Sequence, residues 1–416
     1  MGQVQNLETG AVSNKLLMLF ESQIEKKLAT LQAVGELPLA VELWNGRRFA
    51  VDGTRITLRV PRTAALKKLA KLDFAALGEA YVEGEIDFEG PIEEAVRAVE
   101  AFVRKSGSAA RGRLPRLALH TKKRDRQAIQ YHYDVSDDFY RLWLDRRMVY
   151  SCAYFKTGEE DIDLAQEQKL DHICRKLRLR PGDRLLDIGC GWGALILHAA
   201  QNYSVDATGI TLSDNQAATA EQRIGAAGLK DRCRVLLQDY RDVPGEAAYN
   251  KISSVGMFEH VGLKNLPTYF GVINRLLAPD GLVLNHGITA VDTDSREVGL
   301  GGGEFIERYV FPHGEVPHLS LVLKEISAAG LEPMDVETLR LHYARTLAEW
   351  SRRLEANLDA ARGHAGDKRT RIWRLYLAGC SHAFARNWVT IHQVLATKSA
   401  DPSRNPLPWT RDYMYR

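Results

Sequence analysis

The chain of 416 residues has few cysteines: Cys152, Cys174, Cys190, Cys233 and Cys380 are odd in number and form no C-x-x-C spacing. That argues against a disulfide framework or a zinc ribbon and for a reducing compartment. No stretch approaches the roughly 20 apolar residues of a membrane-spanning helix. The N-terminus lacks the charged start and apolar centre of a signal peptide, so a cytoplasmic protein is expected. Charge of one sign is lacking as well. With 56 Lys and Arg against 53 Asp and Glu, the net charge of +3 singles out no partner. No internal repeat is visible, and no metal site is expected.

What is present is apolar content of 45%, enough for two cores in a chain of this length. Residues 12–31 repeat Leu16, Leu17, Phe20, Ile24, Leu28 and Leu31 at helical spacing, which predicts an amphipathic helix with a basic far side. Between Leu39 and Val60, short apolar runs are broken by Asn45-Gly46 and Asp52-Gly53, both hairpin signals. "GEAYVEGEIDFEG" (78–90) alternates in the same way, and Pro91 then opens a helix. Together these predict a small α+β domain over residues 1–103.

Residues 104–126 carry nine Lys or Arg and one Asp among Gly, Ser and Pro. This composition is that of a linker, and its charge fits a solvated connector, a nucleic-acid arm or a patch for anionic lipid. Beyond it, over residues 127–416, helical and strand patterns alternate. Strands are expected at Arg184–Ile188, Val205–Ile210, Cys233–Gln238, Lys251–Val255 and Leu282–His286, with helices between them. The pattern predicts an α/β domain with a parallel sheet covered on both faces. After Leu331, long amphipathic helices should cap or extend that sheet.

"RLLDIGCGWGALILHAA" reads as strand, glycine turn and helix. Gly189, Gly191 and Gly193 let the backbone approach a ligand and leave amides free at a helix start. Gly189, Gly191 and Ala194 also satisfy G-x-G-x-x-A, so a nicotinamide site is a rival. Asp187 favours a ligand with positive charge, and D-x-G-x-G-x-G resembles the first motif of class I S-adenosylmethionine-dependent methyltransferases. One feature of that Rossmann-like fold is missing: the second strand ends "GITLSDNQ" where an acidic ribose partner is usual.

That absence fits one family. "HYDVSDDFY" (132–140), "YSCAYF" (150–155), "DIGCGWG", "GITLSDNQ", "LLQDYRD" (236–242), "SVGMFEHVG", "HGI" (286–288), "HYARTLAEW" (342–350) and "YLAGCSHAFAR" (376–386) occur in order. They resemble the cyclopropane-fatty-acyl-phospholipid synthases and their mycolic acid relatives, densely over about residues 127–397 and more loosely before. The resemblance implies that Tyr150, Ser151, Asp187, Gly189, Gly191, Gly193, Thr211, Leu212, Gln216, Asp239 and Tyr240 hold S-adenosylmethionine, with Thr211 and Gln216 in place of the acidic partner.

The implied reaction is attack of a cis double bond of a phospholipid acyl chain on the cofactor's methyl group. A carbocation follows, and ring closure needs a base in an apolar pocket. Family members bind bicarbonate there, at positions matching Cys152, Glu259, His286, Ile288 and Tyr343. Bicarbonate can donate one O–H to Glu259 and accept from His286, Tyr343 and backbone amides. Cys380 aligns with a cysteine sometimes assigned as catalytic, although methyl transfer to an alkene needs no covalent enzyme intermediate. Its other reading is core packing or a place near the acyl tunnel.

His260 reads as a satisfied structural residue. Asn285 and Gly287 depart from the family's usual apolar residue and Thr. Tyr133, Phe139, Tyr140, Trp143, Tyr154 and Phe155 are core residues, a few of which could face the sulfonium. The run Gly299–Gly303 lacks a following Lys-Ser/Thr and reads as a lid. Docking at the inner membrane surface is expected, without nucleic acid, and a homodimer is compatible with the sequence. The alternatives are a branched-chain product through the same cation, a small-molecule N-methyltransferase, and an inactive lipid-binding relative.

Overall fold

The computed structural model describes residues 18, 22–36, 38–65, 68–69, 74–105, 136–296, 298, 302–312, 314–403 and 407–415. Residues 106–126 of the basic segment, Tyr133 and residues 299–301 of the glycine run lie outside these. So does most of the N-terminal half of the first expected helix. The chain divides into two compact units. The first comprises Met1–Gly112, Val298–Tyr309 and Gly366–His382, and the second comprises Arg113–Glu297, Val310–Ala365 and Ala383–Arg416. The sequence alone suggested two contiguous domains. In the structure, two later segments join the first unit.

In the first unit, residues 22–33 are helical. Four strands follow: β1 (Ala40–Leu43), β2 (Arg48–Phe49), β3 (Thr57–Val60) and β4 (Asp87–Glu89), in the order β2-β1-β3-β4. Asn45-Gly46 does turn an antiparallel hairpin between β1 and β2. Asp52-Gly53 does not, because β3 pairs in parallel with β1. The alternating stretch 78–90 is also corrected: its first part belongs to the helix Phe74–Val82, and only Asp87–Glu89 is strand. Pro91 precedes the helix Ile92–Lys105, as expected. Leu28, Val41, Leu58, Tyr81, Ile86, Phe88 and Val96 form the core. Phe305 packs on Gly78, where a β-carbon would lie 2.7 Å from its ring.

The second unit is built on seven strands, β5 (Arg184–Ile188), β6 (Asp206–Thr211), β7 (Cys233–Leu237), β8 (Tyr249–Val255), β9 (Leu277–Ala290), β10 (Glu332–Thr338) and β11 (Val389–Thr397). Their order is β10-β11-β9-β8-β5-β6-β7. The five expected strands are all present and mutually parallel. The sheet as a whole is mixed, since β11 runs antiparallel to both β9 and β10. Those last two strands lie in the tail that read as helical. Each central strand is apolar on both sides. On β5, Leu185 joins one core with Ile173, Ile196 and Leu284, while Leu186 and Ile188 join another with Ile252, Phe270 and Ile273. Helices therefore cover both faces, and the carboxyl ends of β5, β6 and β8 open at the point where the order reverses.

Candidate functional site

The turn after β5 starts the site. Gly189, Gly191 and Gly193 have φ of 82°, 53° and 80°, a left-handed region that L side chains rarely adopt. A β-carbon at Gly189 would also lie 2.9 Å from the Met257 side chain. Not all the amides of the turn are free, contrary to the sequence expectation. Gly189 and Cys190 donate to the Ile210 carbonyl at 2.9 and 3.0 Å, and Gly193 donates to Cys190 at 3.0 Å. Those bonds tie the turn to β6 and define its shape.

A pocket opens beside this turn. Of the eleven expected cofactor residues, nine line it: Tyr150, Ser151, Asp187, Gly189, Gly191, Thr211, Leu212, Gln216 and Tyr240. Gly193 and Asp239 do not. Gly193 caps the following helix, where a β-carbon would press on Ala220 at 3.1 Å. Asp239 holds the backbone N–H and side chain of Arg241, at 2.9 and 2.8 Å through Oδ1. Lys169, Trp192, Gln238, Met257 and His260 also line the pocket and were not assigned from sequence. His260 thus has a place at the site, with its ring 5.5 Å from that of Phe311.

The polar groups of the pocket are fixed from behind. Ser253 Oγ donates to Asp187 Oδ1 at 2.7 Å, and burial nevertheless raises the Asp187 carboxyl to about 6. Thr211 Oγ1 donates to Gln216 Oε1 at 2.8 Å, which orients that amide at the end of β6. Ser213 caps the helix bearing Gln216. A buried aromatic group stands alongside. Tyr150 lies 5.4 Å from Trp350 and 5.6 Å from Trp143, centroid to centroid.

The second group of expected residues is linked through backbone bonds. Glu259 Oε1 accepts the Ile288 N–H at 2.7 Å. Ile288 pairs with Ile391 across β9 and β11, and the Ile391 carbonyl accepts Leu339 N–H at 3.0 Å. The Leu339 carbonyl accepts the Tyr343 N–H at 3.0 Å and lies 3.8 Å from Cys152 Sγ. His286 sits on β9, opposite Val255 of β8 and Gln393 of β11. The structure therefore gathers Cys152, Glu259, His286, Ile288 and Tyr343 in one unit through four elements.

Two buried atoms in this group lack any partner: Glu259 Oε2 and His286 Nε2. Burial pushes the Glu259 carboxyl up to about 7 and pulls the His286 imidazole well below its usual value, so the ring is neutral. Buried polar atoms are rarely left unpaired. Here a carboxylate oxygen and a ring nitrogen, carried by the turn Phe258–His260 and the strand β9 that packs against it, are both left so. Cys152 is not a candidate nucleophile, since burial raises its thiol far beyond the physiological range.

Cys380 belongs to the first unit, on the helix Asp367–Ala385, and burial raises its thiol to about 12. A thiol held protonated at neutral pH is a poor nucleophile, which supports the packing reading of Cys380 over a covalent role. Asn285 and Gly287 also find their reasons. Asn285 Oδ1 accepts from Tyr269 Oη at 3.0 Å, and Gly287 is occupied by the ring of Phe258. Among the described residues, no helix is long and apolar enough to cross a membrane, and no cluster of metal-ligating side chains occurs.

A seven-stranded sheet of this order, with a glycine turn and acidic strand end at its switch point, defines a class I S-adenosylmethionine-dependent methyltransferase. The family described as mycolic acid cyclopropane synthetase matches residues 120–394, and a domain of unknown function matches residues 28–111. The chain belongs to that synthetase family.

A "Probable fatty acid methyltransferase" of Pseudomonas putida is 48% identical, over 91% of this chain and 97% of its own. The cyclopropane-fatty-acyl-phospholipid synthase of Escherichia coli (strain K12) is 32% identical, over 87% of this chain and 94% of its own. The crystal structure of mycolic acid cyclopropane synthase CmaA1 complexed with SAH and CTAB superimposes with a TM-score of 0.63 at 35% identity. It covers 66% of this chain and 98% of that one. The protein is thus a lipid-modifying transferase that uses S-adenosylmethionine.

Proposed function

We propose that the enzyme adds a methylene group from S-adenosylmethionine across a cis double bond of a phospholipid acyl chain, forming a cyclopropane with bicarbonate as the base. The observation that carries this reading is the pair of unpartnered atoms, Glu259 Oε2 and His286 Nε2. A lone carboxylate buried among apolar groups is costly, and one that accepts an O–H is not. The neutral imidazole N–H of His286 suits the oxygens of a small oxyanion. Bicarbonate combines one O–H with such oxygens, so these residues fit it.

In this reading Asp187, Ser151 and the glycine turn orient the cofactor. Its sulfonium supplies an electrophilic methyl group. The alkene carbon attacks that methyl, the C–S bond breaks, and the positive charge passes to the neighbouring carbon. Glu259 and His286 would hold the bicarbonate, which would supply the base that takes one proton from the added carbon as the C–C bond closes the ring. Tyr150, on the pocket wall and backed by the buried Trp143 and Trp350, presents its ring to developing positive charge, worth about 0.5–2 kcal/mol.

The basic segment 104–126, with the N-terminal domain, fits a surface that draws the enzyme to anionic lipid, at ~1 kcal/mol per basic residue. A branched product is the second reading, favoured by the 48% identical relative named for fatty acid methylation. A methylene-branched chain and the cyclopropane have the same mass, so proton NMR decides. The enzyme is incubated with vesicles of unsaturated phosphatidylglycerol and methyl-labelled S-adenosylmethionine. High-field ring protons support the proposal, and vinylidene signals without them refute it. Equal binding to anionic and neutral vesicles at low salt would make the basic segment only a connector.

A further inference from the structure

Lys169 is a fully buried lysine, 2% exposed, on the wall of the cofactor pocket. Its Nζ donates to Ser151 Oγ at 2.8 Å, and no carboxylate lies within ion-pair distance of it among the described residues. One neutral hydroxyl is weak compensation for a buried ammonium, which costs several kcal/mol to desolvate in general. The helix Ile162–Lys176 nevertheless places it there with care. One turn earlier, Gln166 Nε2 donates to the carbonyls of Val149 and Ser151 at 3.3 and 2.9 Å, which fixes the strand-like stretch that carries Ser151. Asp145, the acid that acts on it most strongly, is taken up by the backbone N–H groups of Arg147 and Val149.

S-adenosylmethionine carries an α-ammonium and an α-carboxylate on its amino acid end. The pocket offers one buried acid, Asp187, and one buried cation, Lys169. We propose that Lys169 and Ser151 receive the α-carboxylate of the cofactor, Lys169 as the charge partner and Ser151 through its own O–H. Because Ser151 Oγ already accepts from Lys169, its hydrogen is left to point elsewhere, and a carboxylate oxygen is the acceptor it lacks. Burial lowers the Lys169 ammonium to about 8, which keeps it mostly charged near neutrality even without the ligand.

The inference rests on the pocket being the cofactor site, and the test separates the two. Calorimetry on the full chain compares S-adenosylmethionine with decarboxylated S-adenosylmethionine, which keeps the adenosine, sulfonium and amine. Hydrogen bonds to charged groups imply a preference of about tenfold or more for the carboxylate form in the wild type.

Lys169→Met should remove most of that preference by weakening the first ligand alone, and Lys169→Arg should keep much of it. Ser151→Ala should lower it part of the way. Equal weakening of both ligands in Lys169→Met, with Lys169→Arg no better, would mean a structural lysine and would overturn the proposal. If Lys169→Met fails to fold, Lys169→Gln, which keeps a donor for Ser151, carries the same comparison. Wild type that binds neither ligand would overturn the cofactor pocket itself.

Discussion

The ring of Phe258 occupies the place of a side chain at Gly287. A β-carbon built on Gly287 would lie 1.8 Å from Phe258 Cε1 and 2.1 Å from Cδ1. Phe258 is 1% exposed and packs with Val261, Leu266 and Phe270 beneath the turn that carries Glu259. The departure at residue 287 from the family's usual Thr is therefore one half of a pair.

Gly287→Thr should force the ring aside and cost about 1–3 kcal/mol, the usual range for overpacking. It should also disturb the neighbouring Glu259 and its bond to Ile288, so activity should fall more than stability does. Phe258→Leu in the same chain should restore part of the melting temperature. Additive losses in that double variant would mean the two residues do not share one space.

Glu259 gives a prediction with a definite sign. Its carboxyl is raised by burial from 4.5 to about 7, although the Ile288 N–H opposes the rise. The folded state therefore holds a proton between those values that the unfolded state has lost. Stability must fall as pH rises across that window, and the full penalty is present above about 7.

Glu259→Gln removes the penalty. The expected gain at pH 8 is on the order of 1–2 kcal/mol, less than the roughly 3 kcal/mol of the shift because the new amide needs partners. At pH 4 the gain should vanish. Turnover should drop greatly while S-adenosylmethionine affinity stays nearly unchanged. Thermal melts at several pH values and calorimetry check both halves, and full activity at ambient bicarbonate would sink the assignment.

Much of this site could be read before folding. The glycine turn and Asp187 stand out because the geometry that needs them is local, encoded within seven residues. Lys169 did not stand out, since a lysine on a helix face normally points to water and only packing against Ser151 turns it into a pocket wall. Gln393 was hidden for a similar reason: it meets His286 through register across β11 and β9. β10 was missed because it is a polar edge strand, "EPMDVET", whose Val336 is itself 40% exposed. The stretch 78–90 misled in the other direction. Its alternation coincides with the end of a helix, and tertiary packing against Phe305 decides the matter.

Glu337, at the end of β10, holds together a buried ionic cluster. Its Oε2 takes Nε2 of His172 at 2.8 Å and also meets Nζ of Lys176, which is fully buried. Burial alone would raise the Glu337 carboxyl, yet His172 and Lys176 bring it down to about 2. A lowered value stabilises the fold above 4.5, and that contribution is lost as pH falls toward 2. Glu337→Gln should cost about 3–5 kcal/mol at pH 7, the range for breaking a buried pair. The difference between variant and wild type should shrink toward pH 3. Denaturant titrations at both pH values test this, and an unchanged difference would show that the charge is not what matters.

The last prediction concerns the proton on His286. Gln393 Nε2 lies 3.0 Å from His286 Nδ1, and both side chains are almost wholly buried. Since the ring is neutral, an amide N–H donating to Nδ1 leaves the hydrogen on Nε2, the atom without a partner. The opposite amide orientation would present a bare lone pair there, which repels an anion. Gln393 thus acts as a positioning residue that makes His286 a donor toward bicarbonate. Gln393→Met fills the same volume and removes the control. Loss of an orienting partner of this kind commonly weakens binding about 10- to 100-fold at metal-ligating histidines, and a similar order is expected here. The bicarbonate concentration for half-maximal rate should rise about tenfold or more, while KM for S-adenosylmethionine stays within about twofold. Saturating bicarbonate should then restore most of kcat, which a merely misfolded variant could not do. A loss of kcat that bicarbonate fails to restore would remove Gln393 from this role.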